Sequence, residues 1–259
     1  MITPIQHVKR LENNTNNVHV LTFNDQMEYV VKFHLLHHRK ALVNEWLAYC
    51  LAKYLQLPIP SSKIVEIPRD VYLTIPELHD LPYVKHHIAL QYKMNRVNGH
   101  SASTVNEIVN NEQLAGIIAL DYWLCNTDRT RNNILLKEIS QNQYHLSIID
   151  QAKCFDSTSW TVSDLENLPE GILQSSTHQM MARFITNEVK FKEQLEIIQA
   201  IPMLLIDEVL SFIPECWMLT KEERKAIVKT LKHRKYKVLP NVLNEFVANV
   251  YLPEVGREE

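Results

Sequence analysis

Residues 119–155, ALDYWLCNTDRTRNNILLKEISQNQYHLSIIDQAKCF, constrain this chain more than any other stretch. An apolar helical run, Leu114 to Leu124, leads into a polar loop, Asn126 to Asn133. A short apolar stretch, Ile134 to Leu136, is followed by polar turn residues. A second apolar stretch, His145 to Ile149, then ends on Asp150. Periodicity and punctuation read as helix, loop, short strand, turn and second strand. Two strands joined by a turn bring Asn133 and Asp150 side by side at one mouth. An Asp and an Asn converging there make a hard-oxygen site. Magnesium with its phosphate ligands takes one or two protein oxygens of this kind rather than a full cage.

Composition narrows the classes around that segment. A chain of 259 residues, 46% hydrophobic and 22% charged, has ample material for one large domain or a two-lobed one. A net charge of −3 offers no footprint for direct nucleic-acid binding. Cys50, Cys125, Cys154 and Cys216 form no CxxC pair, so neither a disulfide framework nor a zinc site is expected, and a cytoplasmic location fits. The first residues, MITPIQHVKRLENN, lack the apolar core of a signal peptide. The longest apolar region, Ile197 to Pro214, is interrupted by Gln199, Pro202, Asp207 and Glu208 and is not expected to span a membrane. Four glycines in the whole chain argue against Rossmann or Walker phosphate loops.

The N-terminal part reads as a β-rich unit. VHVLTF (18–23) and EYVVKF (28–33) flank Asn24–Met27 as a β-hairpin. Lys32 interrupts the second run; it is either a solvent-face lysine or a cation for nucleotide phosphates. Residues 41–55, ALVNEWLAYCLAKYL, repeat apolar residues at three and four and form a helix. Glu45 lies beside the apolar stripe, as a solvated first-turn acid or as a partner for Lys32. KIVEI and VYLTI, separated by Pro68-Arg69-Asp70, are expected to be two further strands. Ile88–Val97 reads as the last strand and a linker. Asn98-Gly99-His100-Ser101 marks a boundary between 1–98 and 99–259.

The central wording carries a resemblance. Asp128-x4-Asn133 followed by Asp150 at a strand end resembles the catalytic and metal loops of the protein-kinase-like superfamily. "CNTDRTRNNILL" with "IIDQAKCF" looks like the HipA-like kinase families, close to small bacterial HipA-like kinase-domain proteins. The superfamily likeness can be followed over roughly residues 18–155. Asn126 and Thr127 stand where protein kinases carry His and Arg, and the DFG triplet reads Asp150-Gln151-Ala152. Those departures fit HipA-like and lipid-kinase-like relatives. The resemblance implies Asp128 as the base that orients an acceptor hydroxyl, Asn133 and Asp150 as magnesium ligands, Lys32 on the ATP phosphates and Glu45 holding Lys32. The phosphate-covering loop would fall on Asn13-Asn14-Thr15-Asn16-Asn17, which has no glycine but tolerates tight turns.

Beyond residue 155 the chain reads as helices: Leu165–Leu173, Glu188–Ile201, and Pro202–Phe212 with Pro at its start. Thr220-Lys221-Glu222-Glu223 has the capping-box pattern and opens a helix to about Arg234; Asn241–Tyr251 forms the last. The basic run Lys229–Lys237 is expected to be a solvated face, and His34, His37 and His38 exposed loop residues. Arg129 and Arg131 either offset the loop acids or face a substrate phosphate.

The expected fold is α+β, protein-kinase-like and two-lobed, with a small β-rich N-lobe and a larger, mostly helical C-lobe. The expected function is an ATP- and magnesium-dependent kinase of HipA-like type. It would act on an unidentified protein or small-molecule hydroxyl, with a protein Ser or Thr preferred. The alternatives are a nucleotide-binding pseudokinase and a non-catalytic protein-interaction module.

Overall fold

The structure is a computed structural model that describes residues 2–11, 18–79, 81–91, 97–98 and 105–256. The N-terminal part is a five-stranded antiparallel sheet: β1 (Pro4–Arg10), β2 (Val18–Phe23), β3 (Glu28–Lys32), β4 (Ser62–Glu66) and β5 (His86–Gln91), in the order β1-β2-β3-β5-β4. Both faces of its centre are covered, and the two-residue period of a strand sorts side chains between them. Leu21, Phe23, Tyr29, Val31, Phe33, Val65 and Ala89 pack on one side. Val30, Ile88 and Leu90 face α1 (Ala41–Tyr54) and the main core. Lys32 pairs with Ile88 across the ladder and follows Val30 by two, so it points to the side that α1 covers.

VYLTI is not a strand. Pro68, in an extended conformation, opens a short helix, α2 (Arg69–Leu73). Tyr72, Ile75 and Leu78 are buried at intervals of three, a helical spacing that seals the outer face of the sheet. His34, expected to be exposed, is buried, and its backbone N–H donates to His87 Nδ1 at 3.2 Å. β5 ends at Gln91; the linker at 92–96, the boundary at 99–101 and the Asn13–Asn17 segment lie outside the described residues.

The larger part is mostly helical, with one small sheet. β6 (Val97–Asn98), β7 (Glu107–Ile108), β8 (Ile134–Ser140) and β9 (Gln143–Ile148) run in the order β6-β8-β9-β7, with β7 parallel to β9. α3 (Leu114–Leu124) is buried along its whole length and ends at Cys125 in the left-handed region, φ 50°. The helices that follow are α4 (Val162–Glu166), α5 (Ser176–Arg183), α6 (Val189–Ala200), α7 (Met203–Ser211), α8 (Lys221–His233), α9 (Leu239–Phe246) and α10 (Leu252–Val255). The stretch expected to be helical over Leu165–Leu173 stops at Glu166, ahead of Pro169. The capping box of Thr220 and Glu223 is formed at the start of α8.

The basic run is not a uniformly solvated face. Arg234 and Lys235 are buried in a π-helical turn, Arg234–Val238, that carries α8 into α9. Arg234 donates to the carbonyls of Tyr122 (2.8 Å) and Trp123 (3.0 Å) at the end of α3. Lys235 donates to Ile201 O at 2.6 Å, just past α6. Cations there satisfy carbonyls that a helix end leaves without partners.

Candidate active site

α1 brings Glu45 to the end of β3. Glu45 is buried, and its Oε1 accepts a hydrogen bond from Lys32 Nζ. The same ammonium donates to Asp150 Oδ1 at 3.0 Å. The backbone N–H of Gln151 donates to Glu45 Oε1 at 3.0 Å. Lys32, Glu45 and Asp150 therefore meet at one point, although they come from a strand, a helix and a loop 118 residues downstream of the lysine.

Burial opposes the charge of Lys32, but Asp150 and Glu45 outweigh it and raise its pKa. Burial also opposes ionisation of Asp150, yet Lys32 and hydrogen bonds to its carboxylate hold it at about 2. For Glu45 burial is the largest influence and pushes the carboxyl up to about 7 against the pull of Lys32. Asp150 is thus the firmly ionised acid of the pair.

The β8–β9 hairpin sets the second half of the site. Its ladder runs to Ile134↔Ile148, and Ile149 N–H donates to Asn133 O at 3.0 Å. Asn133 and Asp150 therefore flank the mouth of one hairpin. Asp150 has φ 57°, a left-handed conformation costly for a residue with a Cβ, which ends the ladder there. Asn133 Nδ2 donates to Asp128 O (2.6 Å) and Asp128 Oδ2 (3.2 Å). Its amide nitrogen is thereby turned to the Asp128 loop. Asp128 is half-buried, with Lys153 Nζ 3.4 Å from its Oδ1.

Behind the loop lies a buried charge network that the sequence reading did not assign. Asp121 of α3 pairs with Arg129 and His178 and accepts from Asn126 Nδ2 at 2.9 Å. Arg129 and Arg131, read as equivalent, differ: Arg129 is fully buried, and Arg131 is exposed. Asp121 is the one acid in the otherwise apolar run 114–124, and a lone acid on a buried helix demands a buried partner. That signal was available. Asn44 of α1 holds the segment after Asp150: its Nδ2 lies 2.6–2.9 Å from the carbonyls of Ala152, Cys154 and Ser157, and its Oδ1 accepts from Trp160 Nε1.

A β-rich N-lobe whose strand lysine is held by a helix acid, over a helical lobe with a paired loop and hairpin, defines a protein-kinase-like protein. The chain belongs to the HipA-like kinase family, whose model matches residues 5–248. The proinflammatory kinase CtkA of Helicobacter pylori is similar in structure at a TM-score of 0.63 and 15% identity, over 94% of this chain and 96% of that one. A Golgi casein kinase with Mn and ADP bound is similar at a TM-score of 0.51 and 14% identity, over 96% and 75%. At those identities the likeness is one of fold. No curated protein matches the chain by sequence. Among the described residues no helix is long and apolar enough to cross a membrane.

Proposed function

We propose that this protein is an ATP- and magnesium-dependent kinase that transfers a phosphoryl group to a hydroxyl, with a protein Ser or Thr as the preferred acceptor. The observation that carries the reading is the grip of Glu45 and Asp150 on the Lys32 ammonium. A buried cation needs such compensation, and a nucleotide phosphate is the ligand that gives it a purpose beyond the fold.

The donor set fits a hard divalent ion. Asp150 offers an ionised carboxylate, and Asn133 an amide oxygen whose NH2 is already committed to Asp128. These two residues would hold magnesium, which would neutralise phosphate charge there. Lys32 would hold the nucleotide phosphates, with Glu45 fixing the direction of its ammonium. Asp128, half-buried at the mouth, accepts the acceptor's hydroxyl proton. Manganese and ADP in the Golgi casein kinase support a nucleotide-and-metal reading here. The division into lobes at 98/99 is part of this proposal; β6 (Val97–Asn98), just ahead of that boundary, pairs with β8 in the sheet of the larger part.

A nucleotide-binding pseudokinase is the second reading, favoured by the glycine-free segment Asn13–Asn17. Purified protein incubated with γ-labelled ATP, alone and with cell-extract fractions, separates the two. Label on the protein or on an acceptor, lost in Asp128→Asn, supports the kinase. Metal-dependent nucleotide binding without any transfer supports the pseudokinase.

A further inference from the structure

The guanidinium of Arg129 has five N–H donors, and each has an acceptor. Nε and Nη2 donate to the two carboxylate oxygens of Asp121 at 2.8 and 2.9 Å. The second Nη2 hydrogen goes to Gln151 Oε1 at 2.7 Å. Nη1 donates to Asn133 O and to Ile149 O, both at 2.9 Å. The last two carbonyls lie on opposite arms of the β8–β9 mouth. One belongs to Asn133 itself, and the other to the residue before Asp150; Gln151 is the residue after it.

Past Ile134↔Ile148 the arms are joined by a backbone hydrogen bond, Ile149 N–H to Asn133 O, and the left-handed Asp150 ends the ladder. Glu45 and Asn44 hold the Asp150 arm to α1 rather than to Asn133, so they do not fix the spacing between the two arms. The planar Arg129 fork adds a bond to each arm and is itself held rigidly by the bidentate pair with Asp121. Asp121 is in turn fixed by Asn126 Nδ2 and by His178 Nε2 at 3.0 Å.

We infer that Arg129 is a positioning residue that sets the distance between Asn133 and Asp150, and so tunes the site for a small ion. This rests on the reading of those two residues as metal-holding. Magnesium requires near-ideal octahedral ligation at about 2.0–2.1 Å, whereas calcium accepts roughly 2.3–2.6 Å and irregular geometry. A looser mouth therefore penalises magnesium more than calcium. Lysine at 129 keeps a positive charge against Asp121 but lacks the fork that reaches both arms.

The test is calorimetric and thermal-shift titration of full-length protein with ADP, varying magnesium or calcium, for wild type, Arg129→Lys and Gln151→Ala. Gln151→Ala removes one of the five acceptors and guards against a folding defect in Arg129→Lys. Metal-free ADP binding should stay within about twofold of wild type. The half-saturating magnesium concentration should rise by roughly 10–100-fold in Arg129→Lys, the range for groups that orient metal ligands, and by less in Gln151→Ala. The calcium requirement should move much less, so the magnesium-to-calcium preference falls. Parallel losses for both ions, or no change for either, would overturn the inference while leaving the site reading in place. If wild type shows no metal-dependent ADP binding at all, the site reading fails and the inference goes with it.

Discussion

The backbone N–H of Gln151 donates to Glu45 Oε1 across 3.0 Å, so the acid that holds Lys32 also holds the loop that carries Asp150. α1 is thereby tied to both charged partners of the lysine. Glu45→Ala leaves Lys32 to Asp150 alone and frees the Gln151 N–H. Loss of one charge-assisted bond, about 1.5–3 kcal/mol, should raise the Kd for magnesium–ADP by roughly 10–100-fold. Calorimetric titration measures this, and an unchanged Kd would mean that Glu45 has only a packing role.

The Asp121–Arg129 pair is fully buried, and such pairs are costly to break from one side. Burial opposes the charge of Asp121, but Arg129 and the bond from His178 hold its carboxyl at about 2, below the ordinary 3.8. That stabilisation is complete above about 3.8 and is lost as pH falls towards 2. Asp121→Ala strands the guanidinium and should cost about 3–5 kcal/mol, or roughly 6–20 °C in melting temperature. Scanning calorimetry at neutral pH checks the size.

The N-lobe should be acid-labile because of its buried histidines. Burial pushes His19 from 6.5 down to about 4 and His87 down to about 3. His87 Nδ1 accepts from His34 N–H while Nε2 faces Val84 O, so the neutral ring already satisfies both partners. Below pH 6.5 the unfolded chain binds protons that the folded chain refuses, so stability falls on acidification. Each histidine contributes up to about 1.4 kcal/mol per pH unit within its window. Urea midpoints measured from pH 7 to 4 should fall steadily, and His19→Phe should flatten the slope. A midpoint independent of pH over that range would contradict the placement of these rings.

Much of this was legible in the sequence where a local pattern carried it. Strand alternation in EYVVKF puts Lys32 on the face that the next helix covers, and Thr220-x-x-Glu223 marks a helix start by its own hydrogen bonds. The apolar runs on either side of the 126–133 loop announce the hairpin that brings Asn133 close to Asp150. What could not be read depends on partners distant in sequence or on local rules that compete. VYLTI has strand-forming residues, but Pro68 before it and burial at Tyr72, Ile75 and Leu78 make it helical. His34 meets His87 only across the folded sheet. Arg234 and Lys235 look like surface charge until the ends of α3 and α6 arrive beneath them. Arg129 and Arg131 are two residues apart and alike in the sequence; only Asp121 behind the loop distinguishes them.

The most direct test of the account is the melting temperature with magnesium–ATP, compared in wild type, Asp150→Ala and Asp128→Asn, alongside transfer of labelled phosphate. A ligand at about a hundredfold excess over its Kd stabilises the native state by about 2.7 kcal/mol. For a chain of this size that is a rise of roughly 5–10 °C. Wild type should show that rise, Asp150→Ala should lose the magnesium-dependent part, and Asp128→Asn should keep the rise while losing all transfer. A wild-type protein that no nucleotide stabilises, with or without magnesium, would contradict the account.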